Sequence, residues 1–154
     1  MLAFALTTAA PVHAQSQSSA QEARCLESAA RYYSLPLALL KAIRISEGGS
    51  VGSWRRNADG SLDYGVMQIN SRWLPRLARA GYTAQVLVHD ACASITAGAW
   101  ILAEALAERG AWNRGAVDPG AYWRAVGNYH SRTPQRNRRY AEQVWARYQG
   151  EVGP

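Results

Sequence analysis

Cysteine and histidine are scarce in this chain, and phenylalanine occurs once among 154 residues. The two cysteines, Cys25 and Cys92, lie too far apart for a paired metal or redox motif. His13, His89 and His130 show no ligand spacing either, so neither a metal nor a cofactor is expected. There is no internal repeat and no domain break. Beyond the first residues no stretch reads as long and apolar enough to span a bilayer, so stable membrane insertion is not expected. With 48% apolar residues, what remains is a single globular domain long enough to bury one core.

Against these absences stand six Trp, eight Tyr and a formal charge of +6. The charge points to a polyanionic partner: nucleic acid, anionic lipid or a cell wall carrying acidic peptides. Trp and Tyr combine a flat apolar face with a polar handle, which suits a sugar-binding groove and an ordinary helical core equally. The opening residues, MLAFALTTAAPVHA, read as a secretory signal over 1–14, with small residues at Val12 and Ala14 and cleavage after Ala14. It lacks the Lys or Arg that ordinarily precedes the apolar run, which leaves a start upstream of Met1 open. Residues 15–22 then form a polar linker, and the domain proper spans 23–150. Export agrees with a Cys25–Cys92 disulfide, although two buried free thiols would fit the same count.

The punctuation predicts helices. One runs over 21–33, and a second begins at Pro36 and ends at Gly48-Gly49. Residues 50–69 show no helical period, and Asn57-Ala58-Asp59-Gly60 is a turn signal for a small hairpin or irregular insert ending in Tyr64–Ile69. A short helix over 70–79 follows. A long one runs from Asp90 to Arg109, with Cys92, Ile95, Ala99, Leu102 and Leu106 on one face and Gly110 as its stop. Asp118-Pro119 and Thr133-Pro134 each read as an N-cap with a first-turn proline, opening helices that end near Tyr129 and Tyr148. The fold class is mainly α with a small irregular or β insert.

Leu40, Ile43 and Glu47 share one face of the second helix. Glu47 is therefore a carboxyl at the edge of the core, at the negative end of a helix, followed by two glycines that leave room for a substrate. Burial and the dipole both raise its pKa, and an acid still protonated near neutrality can give its proton to a glycosidic oxygen. Alternatively Glu47 caps its helix or pairs with Arg44.

The helix end Ala42–Gly49, the loop Asp63-Tyr64-Gly65-Val66-Met67-Gln68-Ile69-Asn70 and the segment Val126-Gly127-Asn128-Tyr129-His130-Ser131 together resemble the soluble lytic transglycosylases, relatives of goose-type lysozyme. The resemblance covers residues 23–148. It is closest to the small branch that accompanies conjugation and type IV secretion machines, which similarly carries two cysteines and a Tyr-His-Ser motif. It implies a lysozyme-like domain, periplasmic or exported, acting on peptidoglycan glycan strands, with a secretion or conjugation machine as partner. Carried over by residue, Glu47 is the catalytic acid/base and Tyr129 the tyrosine whose hydroxyl reaches it. Met67 and Gln68 line the groove, and Asn70 closes the loop motif. His130 departs from the Asn usual in the wider family and is a further substrate-binding candidate.

Most glycosidases place two carboxylates about the bond. The candidates here, Asp59 and Asp63, lie in the turn-rich insert, and Asp59 before Gly60 reads as a turn former. The resemblance implies instead that the substrate's N-acetyl group is the nucleophile and its C6 hydroxyl closes a 1,6-anhydro ring. Hydrolysis by the same fold is the alternative. The run Arg132, Arg136, Arg138, Arg139 with Tyr140 could serve nucleic acid, but a secretory signal argues against that partner, and such a run is ordinarily a solvated helix face. A wall-binding module without catalysis would not need an acid at position 47.

Overall fold

The computed structural model describes residues 12–108 and 118–153. Most of the expected signal segment, and the expected stop at Gly110, lie outside the described residues. The order is α1 (Val12–Tyr32), α2 (Leu37–Glu47), β1 (Trp54–Arg56), β2 (Leu62–Tyr64), β3 (Ile69–Asn70), α3 (Leu74–Leu77), α4 (Ala84–His89), α5 (Ala91–Glu108), α6 (Pro119–Asn128) and α7 (Pro134–Val152). The fold is mainly α with a three-stranded antiparallel insert, as the resemblance implies.

α5 is the axis of the core. Ile95, Ala99, Leu102 and Leu106 are buried along it, and α1, α4 and α6 pack against it. It is apolar enough, with a mean hydropathy of 1.2 over 18 residues, to span a membrane by length and composition, contrary to the reading that no such stretch exists. Its apolar faces are used by neighbouring helices instead. Gly98 matters here because a Cβ at that position would lie 2.7 Å from Met67 Cε and 2.9 Å from Tyr129 Oη. The bare backbone admits both residues against α5.

The helix signals are realised with instructive exceptions. Pro36 precedes α2, and Gly48 at φ +62° closes it, its amide donating to the Arg44 carbonyl at 3.3 Å. Asp118 caps α6 through both oxygens, accepting from the Gly120 and Ala121 amides at 3.0 Å. Thr133 makes no side-chain cap; its carbonyl accepts from the Asn137 amide at 2.8 Å and its own amide donates to Ser131 Oγ at 3.2 Å. α7 continues to Val152, past Tyr148. The segment expected as one helix over 70–79 is α3 flanked by two 3-10 turns, Ser71–Trp73 and Ala78–Ala80. α4 was not anticipated; Thr83 starts it by accepting from the Val86 amide at 3.3 Å. Residues 15–22 are no linker in this structure but continue α1, since nothing in QSQSSAQE breaks a helix.

In the insert, Arg55 pairs with Asp63 and Asp63 with Asn70, while Trp54 pairs with Tyr64. Alternation along strands puts Arg55, Asp63 and Asn70 on one face and Trp54 with Tyr64 on the other. The first strand starts at Trp54, directly before the expected tip at Asn57–Gly60, and the tip is set by Asp59 Oδ1, which accepts from the Ser61 amide at 3.0 Å beside Gly60 at φ +81°.

Cys25 of α1 and Cys92 of α5 form a disulfide with 5.2 Å between their Cα atoms, so the free-thiol alternative is not realised. The bridge spans 67 residues. By the loop-entropy relation its replacement in the Cys25→Ala/Cys92→Ala chain lowers stability by about 4 kcal/mol. Urea unfolding checks this, and a loss under about 1 kcal/mol contradicts a stabilising bridge.

Candidate active site

Glu47 ends α2 with Leu40 and Ile43 wholly buried beneath it. Its Oε1 accepts a hydrogen bond from Tyr140 Oη of α7 at 2.5 Å. Burial is the largest influence on the carboxyl and pushes its pKa from 4.5 to about 7. The Tyr140 hydroxyl opposes that rise, the negative charge of Asp63 adds to it, and Arg55 opposes it. Arg44 does not neutralise Glu47: its Nε donates to Glu22 Oε1 at 2.7 Å, tying α2 to α1. The ion-paired alternative for Glu47 with Arg44 is thereby removed.

The glycines after Glu47 act differently from the expectation that they leave room for substrate. A Cβ on Gly49 would lie 2.1 Å from the Gly65 carbonyl oxygen and 2.9 Å from Gln68 Nε2. The space beside Gly49 belongs to the Gly65–Asn70 loop, which packs directly on the end of α2. Gln68 sits at φ +47°, a left-handed conformation costly for a residue with a side chain, and its Nε2 donates to the Gly65 carbonyl at 2.9 Å. Asn70 holds the insert: Nδ2 donates to Ser61 Oγ at 2.9 Å and to Asp63 Oδ1 at 2.8 Å, and Oδ1 accepts from the Arg72 amide.

Two assignments are corrected. Met67 is fully buried and does not line the groove. Its amide donates to Ser94 Oγ at 3.2 Å, and its side chain packs in the core against α5 beside Gly98. Tyr129 does line the groove, but its hydroxyl donates to the Met67 carbonyl at 3.0 Å instead of to Glu47. The tyrosine on Glu47 is Tyr140. Sequence reasoning placed it in an arginine-rich solvated face, yet Asn137, Tyr140, Ala141 and Val144 follow the spacing of a buried helical stripe. That stripe was the available signal.

His130 stacks on Tyr140, with ring centroids 4.8 Å apart and planes 8° from parallel. Desolvation there is the largest influence on its imidazole and holds its pKa below the ordinary value, so the ring is neutral near pH 7. Asn137, also missed, fixes the turn beneath: Nδ2 donates to the Arg124 carbonyl at 2.9 Å, to Asn128 Oδ1 at 2.9 Å and to the Ser131 carbonyl at 3.1 Å.

These residues open on one groove of about 1050 Å³. One wall is the insert with Arg55, Asp63 and Asn70; the other is α7 with Arg136, Arg139 and Tyr140. Among the described residues, Trp73, Tyr129 and Tyr140 are the aromatic rings of Trp or Tyr that reach it, so much of the aromatic content described serves the core and outer faces instead. Both candidate second carboxylates are engaged. Asp63 pairs with Arg55 at 3.2 Å and accepts from Asn70. Asp59 is bound by Ser61 and by Arg72 at 2.9 Å, and hydrogen bonds from Ser61 lead in holding its pKa low. The arrangement can therefore offer one protonated acid near pH 7 beside two carboxylates committed to structure.

Because the folded pKa of Glu47 lies above 4.5, the native state keeps a proton that the unfolded chain releases. Glu47 thus costs stability progressively as pH rises from about 4.5 to about 7, and the full cost stands above that window. Glu47→Gln removes it. The variant should be more stable than the parent at pH 8, by an amount on the order of 3 kcal/mol, and show no such gain at pH 4. Urea unfolding at both pH values measures this, and an equal change at the two contradicts it.

Comparison with known proteins agrees with this geometry. Residues 24–148 match the family model for the transglycosylase SLT domain. Protein IpgF of Shigella flexneri is 35% identical over 131 residues, covering 82% of this chain and 80% of its own length. Invasion protein IagB of Salmonella typhimurium is 34% identical over 131 residues, covering 82% and 76%. X polypeptide of Escherichia coli is 33% identical over 141 residues, covering 84% and 75%. With its acid at the end of α2 facing the groove, the chain belongs to the transglycosylase SLT family, whose lytic transglycosylase activity is directed at peptidoglycan.

Proposed function

We propose that the chain cleaves the β-1,4 bond between N-acetylmuramic acid and N-acetylglucosamine and leaves a 1,6-anhydromuramoyl end. The observation that carries this reading is the carboxyl of Glu47, open to the groove, held by Tyr140 and protonated up to about pH 7. Glu47 gives its proton to the glycosidic oxygen as the N-acetyl carbonyl oxygen of the same sugar attacks C1. The C1–O bond breaks and the leaving sugar departs as an alcohol. Glu47, now a carboxylate, takes the proton from the C6 hydroxyl, whose oxygen attacks C1 and displaces the acetamido oxygen. The acid is regenerated and no water is consumed.

The engagement of Asp59 and Asp63 with arginines supports this route over a two-carboxylate hydrolysis. Tyr140 is the orienting partner of Glu47. Tyr129 is a positioning residue that braces the loop through Met67, and Gln68 and His130 line the groove where the sugars bind. We further read the protein as exported through residues 1–14 to the periplasm, to open the wall locally for a secretion or conjugation machine.

Sacculi digested by the full chain, reduced with borohydride and analysed by mass spectrometry should yield muropeptides whose anhydro ends resist reduction. Glu47→Gln should lose at least about 100-fold in cleavage, as expected on removing a general acid/base. Mainly reducible muramic acid ends would make the enzyme a hydrolytic muramidase, and retention of about a tenth of the activity in the variant would remove Glu47 from the chemistry.

A further inference from the structure

The arginines before and within the start of α7 do not form one solvated face. Arg132 pairs with Glu108 at 2.7 Å, and Arg138 does not reach the groove. Arg136 and Arg139 do line it, on the same wall as Tyr140. Their positions recur at i and i+3, so two like charges stand together on the helix surface, an arrangement that is unfavourable without a counter-charge. Among the described residues, which include every Asp and Glu of the chain, no carboxylate pairs with either.

The opposite wall differs. Arg55 and Arg72 also line the groove, but Asp63 and Asp59 neutralise them. The excess positive charge is therefore confined to the α7 side. Arg136 precedes Tyr140 by one helical turn, about 6 Å along the axis, and Arg139 is adjacent to it in sequence. Arg136 acts electrostatically on His130, the ring stacked on Tyr140. An anion held by this pair would lie in the same groove as Glu47, on the wall of Tyr140, which bonds that carboxyl. A neutral glycan backbone offers hydrogen-bond acceptors but no counter-charge for two unpaired guanidiniums, whose fork geometry matches carboxylates. In peptidoglycan the carboxylates are on the short acidic peptides borne by the muramic acid residues.

We infer that Arg136 and Arg139 form a carboxylate-binding subsite for the stem peptide, so that the groove selects peptide-bearing glycan strands over bare ones. This rests on the peptidoglycan reading above and names the part of that substrate which the α7 wall recognises.

The test titrates full-length Glu47→Gln protein, which leaves strands intact, with three probes. These are peptide-bearing oligosaccharides, the same oligosaccharides stripped of stems by an amidase with the lactyl carboxylate this exposes converted to its methyl amide, and peptide-bearing ones with methyl-esterified carboxylates. The parent should bind the free-acid, peptide-bearing strands about tenfold more tightly than either other probe. Adding Arg136→Gln and Arg139→Gln should abolish that ratio, while adding Arg138→Gln should preserve it. The ratio is read within each folded protein, so a general loss of stability does not mimic the result. A parent without the preference, a double variant that keeps it, or an equal loss on changing Arg138 overturns the subsite. Cleavage of sacculi without peptide preference overturns the subsite alone. Peptide preference in a chain that never cleaves sacculi overturns the functional reading and leaves the subsite standing.

Discussion

A carboxyl at the edge of an apolar core is stable only if something bonds it, and here that something is a phenol from the far end of the chain. Tyr140 and Glu47 are separated by 93 residues and meet because α2 packs along α7. The contact has two opposed effects. Burial between the helices drives the acid toward its neutral form, and the hydroxyl stabilises the ionised form enough to keep the pKa near 7, not far above it. In the mechanism proposed above, where Glu47 first gives and then accepts a proton, that balance is favourable. Much of the surrounding architecture serves to keep the pair in place. Gly49 and Gly98 admit the Gly65–Asn70 loop and Tyr129, Asn137 fixes the turn that carries His130, and His130 covers the Tyr140 ring.

The loop and the insert show how one side chain can carry several constraints. Asn70 bonds both Ser61 and Asp63 while its oxygen receives the Arg72 amide, so a single side chain ties three parts of the insert wall together. The groove that results is more polar than a sugar-stacking cleft built from many aromatics. Its selectivity accordingly falls to hydrogen bonds and charge, with arginine on both walls and the neutralising carboxylates on only one.

Much of this was legible in the sequence where local chemistry decides the outcome. Pro36 and Gly48 bounded α2, Asp118-Pro119 opened α6, and the spacing of Leu40, Ile43 and Glu47 placed the acid on a buried face. What was not legible depends on tertiary packing. Whether Tyr129 or Tyr140 reaches Glu47 is decided by how α2 lies on α7, and neither tyrosine's neighbours in sequence encode that. Met67 belongs to a motif that suggested the groove, yet the bare backbone of Gly98 on a distant helix leaves its side chain a place in the core. Residues 15–22 looked like a linker because they are polar, whereas polarity without a breaker is compatible with a solvated helical turn.

The balance between burial and the Tyr140 hydroxyl is directly measurable by carbon-13 NMR titration of the Glu47 carboxyl in the full chain and in Tyr140→Phe. The account predicts a midpoint near pH 7 in the parent. It predicts a higher midpoint in the variant, because the hydrogen bond that favours the ionised form is gone while the burial remains. A parent midpoint at the ordinary carboxylate value, or a midpoint that falls on removing the hydroxyl, would contradict it.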